Sequence, residues 1–479
     1  MVHRPDGSAV VAGVDSSTQS TKVEIRRVDD GSPVGSGRAP HPSTTPPVSE
    51  QDPESWWSAF ESAWAEATAS GCEPSAVSIG GQQHGMVVLD SERHVVRPAK
   101  LWNDTESAPD AAWLVKNVPG GASALAAATG SVPVAAFTVT KLSWLHRSEP
   151  EAWKRLAHVL LPHDWLAMKL TGALTTDRGD ASGTGYFDPS ANRYVDSVLE
   201  TVDAERDWSN VLPRVLGPTE VAGEWRGLMV GPGTGDNMAA ALGMALAPGD
   251  VAMSIGTSGT VYACTDVPAR DESGAVAGFA DATGRFLPLV CTLNGAKVLD
   301  AARRLLGVDH ETFDEMALSV GSGGLTLLPY LDGERTPDRP NATGMLSGLR
   351  SDVSREQFAA AVVDGVVCGM IDALGALVAQ VPVTGRLLLT GGAARSRAVR
   401  EVVAAMVGSA HGLEVVHHEA DEAVATGAAV QAAAVLTGEE PLAVAERWGL
   451  GRGAVVPPAD GHDSLGVIER YAELRDLGR

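Results

Sequence analysis

The sequence predicts an α/β protein made of two related domains. Strand and helix signals alternate along the chain, which is the pattern of layered α/β folds. Its 479 residues exceed one ordinary hydrophobic core. A strand–turn–strand theme at Gly13-Val-Asp-Ser-Ser-Thr18 also returns at Met253-Ser-Ile-Gly-Thr257, as expected of two halves built alike. Residues 9–246 and 247–479 are the expected domains, with the pattern restarting around Ala245 to Asp250.

The elements follow in order. Ala9 to Asp15 is an apolar run ending in an acid, Ser16 to Ser20 a polar turn, and Thr21 to Arg27 an alternating run: a hairpin. After the proline-rich surface connection Pro40 to Pro47, Asp52 can cap a helix with Pro53 in its first turn. Trp56, Trp57, Phe60 and Trp64 mark the buried face of that helix. Ala76 to Ile79 is a strand feeding the polar loop Gly80-Gly-Gln-Gln-His-Gly85, and Met86 to Leu89 leads out of it. Leu156 to Leu161 reads as a strand and Asp164 to Leu170 as a helix stopped at Gly172. In the second half, Ser354 and Gln357 form a capping box before a long apolar helix to about Val378. Arg386 to Thr390 is then a strand, Gly391-Gly392 a turn, and Ser396 to about Met406 a helix.

Composition narrows the function. Hydrophobic residues are 44% and charged residues 20% of the chain, enough to build two cores. A formal charge of −23 argues against nucleic acid and anionic membranes as partners. A nucleotide stays compatible, because backbone N–H groups or a metal can override the global field locally. Cys72, Cys264, Cys291 and Cys368 show no metal-ligand spacing and read as free thiols in a reducing cytoplasm. The N-terminus lacks an apolar leader, and no run approaches the ~20 residues of a membrane span. The scarcity of Lys beside Arg and the abundance of Ala fit a GC-rich bacterial genome.

The chemistry is concentrated in a few motifs. Gly233-Thr-Gly-Asp-Asn237 places a carboxylate, Asp236, on backbone free to approach a ligand. Gly256, Thr257 and Ser258 lie in a tight turn whose N–H groups can face a phosphate. An acid near a phosphate cradle points to phosphoryl transfer to a hydroxyl, with the acid collecting the proton. Asp15, ending a buried strand beside a hydroxyl-rich turn, can hold Mg²⁺ through water, or be an ordinary turn-initiating Asp. Leu387-Leu-Leu-Thr-Gly-Gly-Ala393 resembles a strand–glycine–helix entrance for a nucleotide but lacks a dinucleotide fingerprint. Gln82, Gln83 and His84 supply donors and acceptors suited to a polyhydroxylated ligand, and Trp102-Asn103-Asp104 adds an apolar plate with two polar groups.

In this order the motifs resemble the FGGY carbohydrate kinases, of the actin/hexokinase/Hsp70-like ATPase superfamily, from about Ala9 to about Leu436. The carriers are Gly13-Val-Asp15, Gly81-Gln-Gln-His-Gly85, Leu101-Trp-Asn-Asp104, Asp177-Arg-Gly-Asp-Ala-Ser-Gly-Thr184, Gly235-Asp-Asn237, Ser254-Ile-Gly-Thr-Ser-Gly259 and Thr390-Gly-Gly-Ala393. The resemblance implies two ribonuclease-H-like domains flanking a deep cleft, sugar on the N-terminal side and ATP mainly on the C-terminal side. It implies Asp236 as general base and Asp15 as the acid supporting Mg²⁺ and phosphate. Gln83, His84, Trp102, Asn103, Asp104 and Asn237 would contact sugar together with Asp236. Thr18, Gly256, Thr257 and Ser258 would meet phosphates, and Gly391, Gly392 and Ala393 the adenosine. The implied reaction is phosphorylation of a ketopentose, D-xylulose, by ATP. Ribulose, glycerol or gluconate are the alternatives, and a non-catalytic ATP-driven clamp is a rival of another class. No nucleic acid or membrane partner is expected, and a homodimer is allowed. The chain departs from the family pattern at Ser17 (usually Gly), Gln83 (commonly Met) and Ala393 (usually Gly), and its stretch from Gly217 to Gly233 is short.

Overall fold

The computed structural model describes residues 9–418 and 422–477. The chain forms two compact units. The first takes Met1–Leu246, Asp266–Leu287 and Ala420–Gly451; the second takes Ala247–Thr265, Pro288–Glu419 and Arg452–Arg479. The chain thus passes from first to second after residue 246 but returns twice, which one cut there does not allow for.

In the first unit the strand Val10–Ser16 is buried along its whole length, which is why its sequence is an unbroken apolar run up to Asp15. It pairs antiparallel with Ser20–Arg27 and parallel with Ala76–Gly81. The sheet runs in the order Gly223–Trp225, Leu228–Val230, Ala76–Gly81, Val10–Ser16, Ser20–Arg27, Pro33–Pro40, with Thr234–Gly235 also on Ala76–Gly81. The helix Pro53–Ala67 starts as its capping signals require: the Asp52 carboxylate accepts the Glu54 N–H at 3.0 Å. Trp56 and Phe60 are buried, Trp57 and Trp64 half-buried, and Trp56 meets Trp165 edge-on at 6.1 Å. Helix Pro162–Thr171 ends at Gly172, whose φ of 74° is the left-handed conformation glycine adopts at least cost.

The returning helix Ala423–Thr437 packs directly on the central strand and on helix Asp236–Gly243. A Cβ on Gly13 would lie 1.9 Å from the Ala425 carbonyl, and one on Gly427 1.9 Å from that of Ala239. Backbone therefore touches backbone at both crossings, and this seats the helix that carries Asp236.

The second unit repeats the plan. Val251–Ile255 pairs antiparallel with Gly259–Ala263 and parallel with Leu387–Thr390. Its sheet order Val415–His417, Leu387–Thr390, Val251–Ile255, Gly259–Ala263, Phe286–Thr292 matches Leu228–Val230 to Pro33–Pro40 strand for strand. The repeat read from two short motifs is therefore a repeat of topology. Helix Arg355–Val378 opens with the expected reciprocal box: Ser354 Oγ accepts the Gln357 N–H at 3.2 Å, and Gln357 Oε1 accepts the Ser354 N–H at 3.0 Å. It is the one helix among the described residues long and apolar enough to cross a membrane, and 72% of its most apolar stretch is buried inside the protein. All four cysteines are free thiols, with Cys264 and Cys368 buried.

Candidate active site

In the first unit the hairpin turn after Ser16 aims Asp15 into a polar setting. The Ser17 hydroxyl donates to Asp15 Oδ1, and the Lys22 ammonium stands 3.5 Å from Oδ2 and 2.7 Å from Glu422. Burial pushes the Asp15 carboxyl above its ordinary range; Ser17 and Lys22 pull it back and Glu422 adds to the rise. An Asp that merely opened a turn would not be buried beneath a lysine and a second acid.

Asp236 occupies the first position of helix Asp236–Gly243, directly after the short strand Thr234–Gly235. Its Oδ1 accepts the Asn237 N–H at 2.8 Å and the Asn237 side-chain amide at 3.1 Å. Burial, then Asp15 and Asp180, push its pKa up to about 7. That lies close to neutral, where a general base works best. Asp15 and Asp236 thus offer hard carboxylate oxygens whose mutual repulsion a cation would relieve, a donor set that suits hydrated Mg²⁺.

The loop after strand Ala76–Gly81 brings in the amide and imidazole groups. His84 sits at φ 65° and donates from Nδ1 to the Gly183 carbonyl at 2.6 Å. Its ring stacks on Phe137 at 4.9 Å and leans on Phe279 at 5.5 Å. Phe137 is set in turn by a residue that no motif reading picked out. The buried Lys141 ammonium donates to the carbonyls of Ala135 at 2.9 Å, of Ala136, and of Phe137 at 3.4 Å. Burial lowers the pKa of Lys141 to about 7. Lys141 lies within helix Thr138–Ser148 and in no sequence motif, so only the fold shows its place. Gln83 is buried, with Oε1 accepting from Asn237 Nδ2 at 2.7 Å. Gln82 is also buried, and neither of its amide atoms has a hydrogen-bond partner among the described residues. Such an amide requires a ligand or water, so Gln82 belongs among the candidates.

Trp102, Asn103 and Asp104 divide. Trp102 is exposed and its indole N–H donates to Thr18 Oγ1 at 2.8 Å, which ties this ring to the first turn. Asn103 Oδ1 is buried without a partner among the described residues. Asp104 is fully buried and taken: it accepts from the Ser49 N–H at 2.8 Å, from Lys100 Nζ at 3.1 Å and from the Glu106 N–H at 3.1 Å. The expected sugar contact is therefore corrected to a loop anchor, because its oxygens already serve the protein. Glu50, Asp104 and Glu106 cluster as metal ligands do, but Lys100 Nζ fills the centre at 2.6–3.1 Å.

In the second unit Gly256, Thr257 and Ser258 form the turn between paired strands, with the Gly256 N–H donating to the Ser258 carbonyl at 2.9 Å. A Cβ on Gly256 would meet nothing nearer than 3.6 Å, so its face is open. Gly391 crosses the Ile255 backbone, where a Cβ would come within 2.7 Å, while Gly392 faces open space. Gly392 and Ala393 line a cavity of about 630 Å³, together with Leu299, His310, Phe313 and Arg303. Leu299 and Phe313 give it an apolar wall that suits a base, while its arginines stand among Asp300, Glu311 and Asp314. One expectation is corrected: the helix after these glycines does not offer a vacant N-terminus. A 3-10 turn, Gly392–Arg395, intervenes; Ser396 caps helix Arg397–His411, and Asp314 accepts the Arg397 N–H at 2.6 Å.

Paired units of this topology, one with buried acids at a glycine loop and one with an uncharged glycine turn, define a kinase-like fold. The N-terminal domain of the FGGY family of carbohydrate kinases matches residues 10–243, and the C-terminal domain matches residues 251–436. The chain belongs to that family. It is 46% identical to a xylulose kinase of Streptomyces rubiginosus, over 98% of each chain. It is 33% identical to the xylulose kinase of Escherichia coli, over 83% of this chain and 84% of the other. Among solved structures, the xylulose kinase from Bifidobacterium adolescentis matches with a TM-score of 0.87 at 40% identity, over 98% of this chain and 99% of that one.

Proposed function

We propose that the protein is an ATP-dependent xylulose kinase, converting ATP and D-xylulose to ADP and D-xylulose 5-phosphate. The substrate reading is supported by the relatives named for that sugar. The chemical reading rests above all on Asp236, a glycine-framed carboxyl at a helix start with a pKa near 7.

In this reading Asp236 accepts the proton of the attacking sugar hydroxyl as its oxygen forms the new bond to the γ-phosphorus. His84, Gln82, Asn103 and Trp102 hold the sugar's remaining surface, and Asn237 steadies the base. Asp15 would hold Mg²⁺ through water, and the bound ion supplies positive charge to the phosphate oxygens. Thr18, Gly256, Thr257 and Ser258 address phosphates, and Gly391, Gly392 and Ala393 the adenosine beside Phe313.

ADP release measured over a sugar panel tests the proposal. D-xylulose is expected to outrun D-ribulose, glycerol and D-gluconate. If any of these runs faster, the sugar assignment fails; if none releases ADP, the kinase assignment fails with it.

A further inference from the structure

Behind the Gly233–Asn237 loop lies a buried group that the reaction does not use. His163, second in helix Pro162–Thr171, is fully buried among three carboxylates. Nδ1 lies 2.8 Å from Asp180, and Nε2 lies 3.1 Å from Asp164 and 3.7 Å from Asp177. Nδ1 is hydrogen-bonded to Asp180, whereas Nε2 faces Asp164 and Asp177 within ion-pair distance without a hydrogen bond. Burial alone would lower its pKa, but Asp164, Asp180 and Asp177 outweigh that and hold it at about 9.

This cluster touches the Asp236 loop at Gly233 and at Thr234. The ring packs on Gly233, where a Cβ would lie 2.4 Å from His163 Cδ2, and on Gly81, where a Cβ would lie 2.8 Å from His163 Cβ. The Thr234 hydroxyl donates to Asp177 at 2.8 Å. Burial pushes the Asp180 carboxyl above its ordinary range, and His163 pulls it back. Gln83 lies over Gly235, where a Cβ would be 2.7 Å from Gln83 Cγ, and accepts from Asn237 Nδ2 at 2.7 Å. The same Asn237 amide reaches Asp236 at 3.1 Å.

We propose that His163 is a positioning residue: packed on Gly233 and joined to Asp177 and Asp180, it anchors the loop 233–237 that carries Asp236. A buried ion cluster kept for stability alone would change melting without changing turnover per folded molecule. Positioning predicts a different signature, since a base displaced by an ångström loses rate. The inference rests on the reading of Asp236 as general base.

The test is a double-mutant cycle of His163→Gln and Thr234→Val, which removes the hydroxyl that binds Asp177, in the full chain, with folding checked by thermal melting. Each substitution is expected to lower kcat about tenfold or more, with the KM for ATP unchanged within about twofold. The double variant should be little worse than the poorer single one, because both cut the same anchor. His163→Lys, which restores a cation among the carboxylates, should recover part of the lost kcat. Wild-type kcat in folded His163→Gln, or fully additive losses, would overturn the inference. If His163→Gln does not fold, Asp180→Asn replaces it in the cycle with the same two outcomes. Amide hydrogen exchange over residues 233–238 separates this inference from the reading beneath it: both single variants should exchange faster there. Unchanged exchange overturns the anchoring whatever Asp236 does, whereas an active Asp236→Asn protein overturns the base alone.

Discussion

The central hairpins of the two units share a skeleton and differ in charge. In the first, Asp15 pairs across the strands with Lys22; at the matching place in the second, Ser254 pairs with Thr260. Both strands then run parallel to a neighbour, Asp15 beside Gly80 and Ser254 beside Thr390. One duplicated frame therefore carries ionisable chemistry at one copy and neutral, hydrogen-bonding chemistry at the other. The difference teaches that position in this topology makes a strand end available, while residue type decides whether it handles protons and metal or phosphate.

The largest expected effect breaks the charged side. Asp236→Asn keeps size and hydrogen bonding but cannot take a proton. Measured turnover of D-xylulose should fall by the ~10²–10⁴-fold typical of losing a general base. Near wild-type turnover in a folded variant would sink the mechanism. The next breaks the neutral side. Gly256→Val should leave the turn intact, since its Cβ meets nothing nearer than 3.6 Å. Calorimetry should then show ATP binding weakened about tenfold or more, a loss of about 1.4 kcal/mol, with D-xylulose binding unchanged. Intact ATP affinity would remove the turn from the site.

Much of this difference was legible in the sequence, and the reasons are local. A buried strand ending in Asp15 and a glycine-framed Asp236 announce themselves because their neighbours are so unlike them. Caps are equally local, and Asp52 and Ser354 fall where the residue types require. Contacts across the chain are not local. Asp104 reads as a sugar ligand until Lys100, Ser49 and Glu106 are seen to occupy its oxygens. The helix Ala423–Thr437 follows the second half in sequence yet packs on Gly13 of the first unit, and only glycine and alanine at the crossing hint at it. His163 gave no signal, because Asp177 and Asp180 are brought to it only by the fold.

A smaller effect sharpens the role of the sugar loop. His84→Ala removes the ring held by Gly183 and Phe137. If the ring meets a sugar hydroxyl, kcat/KM for D-xylulose should fall by ~1–3 kcal/mol in transition-state terms. ATP affinity should barely move, because the ATP-side candidates other than Thr18 lie in the second unit. Equal losses for both substrates would mark His84 as a loop support.

The smallest effect concerns stability and carries a definite sign. The Asp236 carboxyl is pushed up to about 7 from an ordinary 3.8. The folded state therefore holds this proton more tightly than the unfolded chain between those pH values. Stability attributable to the group falls as pH rises through that window and is lowest above pH 7. Asp236→Asn removes the titration. Without ligands its melting temperature should exceed that of the wild type at pH 8, by about 2 °C or more. That gap should narrow toward pH 5. Gly256→Val provides the contrast, because the neutral hairpin has no ionisable side chain at the turn and its melting difference should stay constant over the same range. Thermal melts of the three proteins at pH 5, 6, 7 and 8 decide the point. A gap for Asp236→Asn that is flat with pH, like that of the glycine variant, would mean that this carboxyl is not held protonated by burial, Asp15 and Asp180, and the charged hairpin would lose its claim to a base tuned near neutrality.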